Sequence, residues 1–188
     1  FASYIGGVSD DAGYGLDLGT HSDLYITGGS NSSTFGYTCP GLNQVNNGGR
    51  ADGYLLRIDL NSFAVSAYTY IGTSSYDQSY FVKTDKYGKP FIYGQSEGIN
   101  GISSGVYSVK DAKMFLKKLD FNCDKIEIET TFGALNKNKP DLSPTAFLVD
   151  QCAVQLQRFL VVVFGRASDC HVQGIANAHR TAEVQVLL

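Results

Sequence analysis

Apolar positions along this chain fall into short runs that alternate with polar ones or break at Gly, Asn, Ser and Asp. In GYLLRIDL, from Gly53, the residues Tyr54, Leu56, Ile58 and Leu60 fall on one side and Leu55, Arg57 and Asp59 on the other. That is the period of two of a strand. Tyr14 to Leu18 and Leu24 to Thr27 are shorter apolar-rich runs flanking Gly19 to Asp23, a stretch of Gly, Thr, His, Ser and Asp suited to a reverse turn, so the pair reads as a hairpin. A polar, Gly- and Asn-rich stretch from Gly28 to Asp52 reads as a loop, and FAVSAYTYI from Phe63 as a further strand.

The pattern then repeats. YIGGVSDDAGYGL from Tyr4 and YIGTSSYDQSYFV from Tyr70 stand 66 residues apart, and the register holds for about 27 positions: Asp11 meets Asp77, Tyr14 meets Tyr80, Ile26 meets Ile92, Gly28 meets Gly94. Later the offset shortens to 61, where YLLRIDLN from Tyr54 matches FLKKLDFN from Phe115; the lost residues come from the intervening loop, where length varies most freely. A third copy begins with TFGA from Thr131, and TAFLVD ending at Asp150 falls near SYFVKTD ending at Asp85.

One segment has two readings. VKDAKMFLKKLDF from Val109 could form an amphipathic helix, since Lys and Leu are good helix formers. The repeat equates it with the alternating GYLLRIDL, and the strand reading is the one adopted. Four short strands per unit of 61 to 66 residues, in tandem, predict an all-β chain of β-propeller-like blades, each a twisted sheet burying its faces against its neighbours. Sandwich domains need ~100 residues each and fit less well. The expected division is residues 1–67 for the first blade, 68–129 for the second, 130–152 for the start of a third, and 153–188 for an atypical tail.

Composition agrees: 12 Tyr, 11 Phe and 21 Gly, with no Trp and 18% charged residues, favour strands joined by tight turns. The net charge of −3 gives no long-range attraction for phosphate backbones, so nucleic acid is not an expected partner. Lys113, Lys117 and Lys118 alternate with apolar residues and read as a solvated strand face. No apolar stretch reaches the ~20 residues of a membrane-spanning helix. Neither a Met nor a signal peptide opens the chain, and Phe1 looks to lie already inside a strand, which reads as a fragment or a processed product. Cys39, Cys123, Cys152 and Cys170 are far apart without a C-x-x-C pair, so zinc is not expected; disulfides and free buried thiols both stay open.

YIGGVSDDAGYG (Tyr4 to Gly15), DLYITGGSNSSTF (Asp23 to Phe35), ADGYLLRIDL (Ala51 to Leu60), PFIYGQSEG (Pro90 to Gly98) and DAKMFLKKLD (Asp111 to Asp120) together resemble the bacterial seven-bladed β-propeller repeat, SBBP, over roughly residues 2 to 152. PDLSPTAFLVDQC (Pro140 to Cys152) is similar to openings in large secreted surface proteins of Bacteroidetes-type bacteria that use type IX secretion. The resemblance implies an extracellular or cell-surface module of a longer chain, used for adhesion or as a scaffold, whose partners are neighbouring blades and a surface glycan or protein. It implies no shared catalytic residues and no cofactor.

After Cys152 the expected Tyr-containing strand is missing and the composition changes, with all 12 tyrosines lying earlier. Residues from about Ala153 onward read as out of frame; the other reading makes FLVVVF (Phe159 to Phe164) a buried strand, since an exposed segment of that kind would invite aggregation. Candidate chemistry is sparse. His21 lies in the hairpin turn and His171 and His179 in the tail, none spaced to share a metal or a triad. Asp10 and Asp11 could offer oxygens to calcium but lack a D-x-D-x-D-G loop; they read as turn carboxylates, and the match of Asp77 to Asp11 predicts a repeated turn contact. A propeller-fold glycoside hydrolase or lyase is the alternative function, yet no pair of carboxylates is singled out for its chemistry. The expected contact surface is the long loops Asn31 to Gly49 and Glu97 to Ser108.

Overall fold

The computed structural model describes residues 2–133, 146–149 and 161–164. Strands β1 (Asp11–Leu18), β2 (Asp23–Ser30), β3 (Asp52–Asp59) and β4 (Val65–Ile71) form one antiparallel sheet in sequence order. Strands β5 (Asp77–Thr84), β6 (Pro90–Ser96), β7 (Met114–Leu119) and β8 (Ile126–Phe132) form a second with the same order. Strands β9 (Ala146–Val149) and β10 (Val161–Phe164) pair antiparallel, with Val149 opposite Val161. The chain is all-β, and the described residues contain no helix.

The helix-or-strand ambiguity from Val109 resolves as β7, hydrogen-bonded on both sides, to β6 and β8. Its lysines differ from expectation: Lys117 and Lys118 are buried rather than solvated. Their ammonium groups stand over aromatic rings, 5.3 Å from the Phe115 centroid and 5.1 Å from the Phe91 centroid. Their charges meet Glu129 at 2.6 Å and Asp85 at 2.9 Å. A long side chain can bury its methylenes wherever its charged end finds a carboxylate.

The first hairpin is longer than the apolar runs suggested, because Gly28, Gly29 and Ser30 continue β2 rather than opening the loop. A Cβ on Gly28 would collide with the Ala12 carbonyl, so the small residue permits the close pairing there. The strand that closes the first sheet crosses the 67/68 repeat boundary: Tyr70 and Ile71 open the next sequence unit yet end β4.

The repeat extends to irregularities. A bulge falls between Gly13 and Gly15 in β1 and between Ser79 and Phe81 in β5, and another at Arg57/Ile58 and at Lys118/Leu119. The bulged Tyr14 and Tyr80 rings meet across the two sheets, 5.9 Å apart.

Packing forms three apolar layers. Between the sheets lie Tyr25, Leu55, Ala67 and Ile71 from the first and Val82, Ile92, Phe115 and Leu119 from the second. The first sheet's other face holds Tyr54, Leu56, Tyr68 and Tyr70 under Phe35, which stacks on Tyr68 at 4.9 Å. The second sheet's other face holds Phe91, Tyr93, Met114, Leu116 and Phe132. Strict alternation along β3 explains the split, Leu55 pointing inward and Tyr54 and Leu56 outward.

Candidate functional site

The two sheets meet along a seam whose polar contacts come from single side chains crossing it. Tyr25, fully buried on β2, donates its hydroxyl to the Gly88 carbonyl at 2.8 Å in the β5–β6 turn. Asp17 at the end of β1 accepts the Thr84 amide at 2.8 Å and its hydroxyl at 2.9 Å, and pairs with Lys83 at 2.7 Å. Arg57 lies 4.0 Å over the Phe121 ring, donates to the Phe121 carbonyl and, through Nε, to Ser66 at 2.9 Å. Its Nε also stands 3.7 Å from Asp23, whose carboxyl burial pushes up against the guanidinium's opposing pull. His21 packs edge-on to Phe121 at 5.2 Å, a structural position at the rim of the same cluster.

At the opposite end of the strands the predicted turn contact recurs. Asp11 Oδ2 accepts the Gly7 amide at 2.8 Å, and Asp77 Oδ2 accepts the Thr73 amide at 2.6 Å, four residues back in each case. Asp10 is exposed and contributes its backbone carbonyl to Asn31 at 2.9 Å. A second carboxylate, which the sequence reading passed over, joins Asp77 here. Asp52 opens β3, accepts the Asn47 backbone and side-chain amides through Oδ2, and turns Oδ1 toward Gly72. A Cβ on Gly72 would strike Asp52 Oδ1 and stand 3.1 Å from Asp77 Oδ2, so both carboxylates close in on that glycine. Both aspartates are 0% exposed. Burial, with Asp77 adding to it, pushes the Asp52 carboxyl up to about 6, and burial raises Asp77 too. No sugar could reach this pair, so it does not supply the acid and base of a glycosidase.

The two long loops fold back rather than standing free. Tyr68 and Tyr70 of β4 donate their amides to Pro40 and Asn43, at 3.0 and 2.7 Å, and the Val109 amide reaches Thr131 of β8 at 2.8 Å. Each β2–β3-type connection thereby covers the outer strand of its own sheet, an edge that would otherwise present unpaired backbone. Leu42, Val45, Ile99 and Tyr107 remain exposed along these loops. Cys39 is a half-buried free thiol and Cys123 a fully buried one, its thiol pushed up to about 12 by burial. Cys152, Cys170, His171 and His179 lie outside the described residues.

Among the described residues no group of three or more His, Cys, Asp or Glu side chains is placed to hold a metal ion. No helix among them is long and apolar enough to cross a membrane. Comparison with protein-family models gives no match, and comparison with curated proteins gives none either. The assignment that these findings carry is structural: an all-β chain of two repeated four-stranded antiparallel sheets joined by a polar-clasped seam.

Proposed function

We propose that this chain is a non-catalytic extracellular binding, adhesion or scaffold module, part of a larger secreted surface protein built from SBBP-type propeller blades. One observation supports the reading above others: residues related by the repeat step through the layers one at a time. Ile26 packs with the first sheet's outer face and its equivalent Ile92 between the sheets; Tyr25 packs between the sheets and its equivalent Phe91 on the far face. Ile71 and Phe132 shift in the same way. A stack that grows by one operation leaves the corresponding face of its first unit without a neighbour, and here Phe35 covers its β3 and β4 part while the β1 part is open. Leu16 is 67% exposed there, whereas its equivalent Val82 is 2% exposed. Leu18, two residues along β1 on the same face, is exposed as well, and burying a leucine side chain is worth ~1.5–3 kcal/mol. That face suits a preceding blade. In addition, β9 packs against β5 as β5 packs against β1, an order expected where the first strands of successive blades surround an axis.

In this reading the clasped seams make a rigid frame, and the turns and loops at its ends contact a surface glycan or protein. The test uses the natural polypeptide on its producing cells. Protease treatment of intact cells should release peptides of this sequence, and cysteine placed at Leu16 should resist an impermeant thiol reagent as cysteine at Val82 does. Peptides that appear only after lysis refute the surface location. A freely reactive position 16 refutes the neighbouring blade.

A further inference from the structure

The contacts that join the two sheets include one arrangement that the scaffold reading does not require. Asp52 belongs to the first sheet and Asp77 to the second, yet their carboxylates converge over Gly72, the residue that leaves the first sheet. Both are fully buried. Asp52 Oδ1 receives no hydrogen bond among the described residues. The nearby cation is Lys117, on β7, and its ammonium is 2.6 Å from Glu129. Remaining polar neighbours are Asn47 on Asp52, and Thr73 and Ser96 on Asp77. Two ionised carboxylates flanking one glycine in a water-poor site repel each other, and one proton held by the pair removes that repulsion.

The repeat does not impose the pair. At the position equivalent to Asp52 the second unit carries Lys113, whose ammonium binds the Glu97 carbonyl at 2.8 Å. The acid pair is therefore particular to the seam between the first and second sheets, where it sits beside the backbone bond from the Asp77 amide to the Ala51 carbonyl, 2.8 Å. Asp52 also pins the 31–51 loop through Asn47, and Asp77 pins the 72–76 linker through Thr73.

We propose that Asp52 and Asp77 form a proton-operated latch on the inter-sheet seam, closed when the pair holds one proton and loosened when both carboxylates ionise. The sign follows from the raised group. Asp52 titrates near 6 in the fold against ~3.9 in an unfolded chain, so the stabilisation is complete below about pH 4 and is lost as the pH rises through about 6. Asn47 and Thr73 still donate to the ionised carboxylates, so the loosening falls on the seam between the two sheets.

The test is hydrogen exchange of the Asp77 amide in the whole chain between pH 4 and 7.5, corrected for intrinsic exchange, in the wild type, Asp52→Asn and Asp77→Asn. Each substitution removes a charge and keeps an acceptor oxygen, and the variants also report the acid response of every other carboxylate. We expect wild-type protection to fall on the order of a hundredfold more than that of either variant, about two pKa units' worth. Equal falls in the wild type and whichever variant folds, or a wild type without a fall, overturn the latch. Recovery of wild-type protection at pH 7.5 on adding calcium, lost in Asp52→Asn, overturns it as well, since a cation rather than a proton would then join the pair.

Discussion

Tyr25→Phe removes one hydroxyl from the seam, together with its contacts to Gly88 and Arg57. The ring is fully buried between the sheets and its hydroxyl donates to the Gly88 carbonyl at 2.8 Å, a contact that joins β2 to the turn between β5 and β6. Phenylalanine fits the space, because Phe91 occupies the equivalent position one unit later and is itself buried. The substitution therefore removes a hydrogen bond without removing packing. A neutral hydrogen bond contributes ~0.5–1.5 kcal/mol net, and an acceptor left buried costs ~1–3 kcal/mol. Gly88 is buried as well, so the lost bond together with part of the acceptor's cost places the expected loss at about 1–2 kcal/mol. Urea unfolding should show a lower midpoint with an unchanged slope. A heat scan should show a fall of roughly 2–8 °C at this chain length. A loss under about 0.3 kcal/mol would mean that the hydroxyl does not cross the seam. A loss above about 4 kcal/mol would mean that the ring had moved and that the two sheets do not share the layer described.

Val82→Ala should cost about 2 kcal/mol by urea unfolding, through two lost carbon groups and a cavity, whereas Leu16→Ala at the equivalent but open position should change stability by under about 0.5 kcal/mol in the isolated chain; equal losses would refute the asymmetry of the two faces. Asp17→Ala removes the acceptor of the Thr84 amide and hydroxyl and should cost about 1–3 kcal/mol, Asp17→Asn less, and the Lys83 pair should contribute little since its ammonium end is partly exposed; a neutral Asp17→Ala would show that the β1–β5 contact is incidental. Cys123, buried with its thiol pushed up to about 12, should stay unmodified by a thiol reagent at pH 8 in the folded chain and react on unfolding, as read by peptide mass spectrometry; rapid native labelling would contradict its burial.

What was legible in the sequence was whatever a local pattern carries. The alternation in GYLLRIDL predicted β3 and its two faces, and the repeat carried that assignment to β7 against a competing helical propensity. The Asp11 and Asp77 turn contact was also readable, because a short-range interaction repeated at a fixed offset leaves a mark in both copies. Contacts that join distant segments leave no such mark. Phe35 lies in a stretch whose composition reads as loop, and only tertiary packing onto Tyr68 makes it core. Lys117 and Lys118 look solvated by type, and the carboxylates that permit their burial come from other strands or turns. Asp52 looks like a turn residue before a strand; its partner Asp77 is brought to it by the stacking of one sheet on the next, which no periodicity encodes. Of the 153–188 tail, the structure describes Val161–Phe164, which pairs with β9, the rest lying outside the described residues.

The repeat also shows how two copies of one plan come to hold together differently. Apolar positions keep their character from unit to unit, so the layers stack, but the residues that clasp the seam do not. Tyr25 becomes Phe91, Asp17 becomes Lys83 and Asp52 becomes Lys113, while Arg57 becomes Lys118. The first three changes exchange a group that crosses the first seam for one that cannot make the same contact from the second sheet: phenylalanine has no hydroxyl, and a lysine cannot accept an amide. The plan is conserved between the copies by hydrophobic burial, which tolerates exchange among apolar side chains of similar size. The polar clasps are set one seam at a time, because a hydrogen bond requires the donor on one sheet to meet an acceptor on the next. The first seam is accordingly a place where stability depends on individual polar atoms, and where a single proton has something to act on.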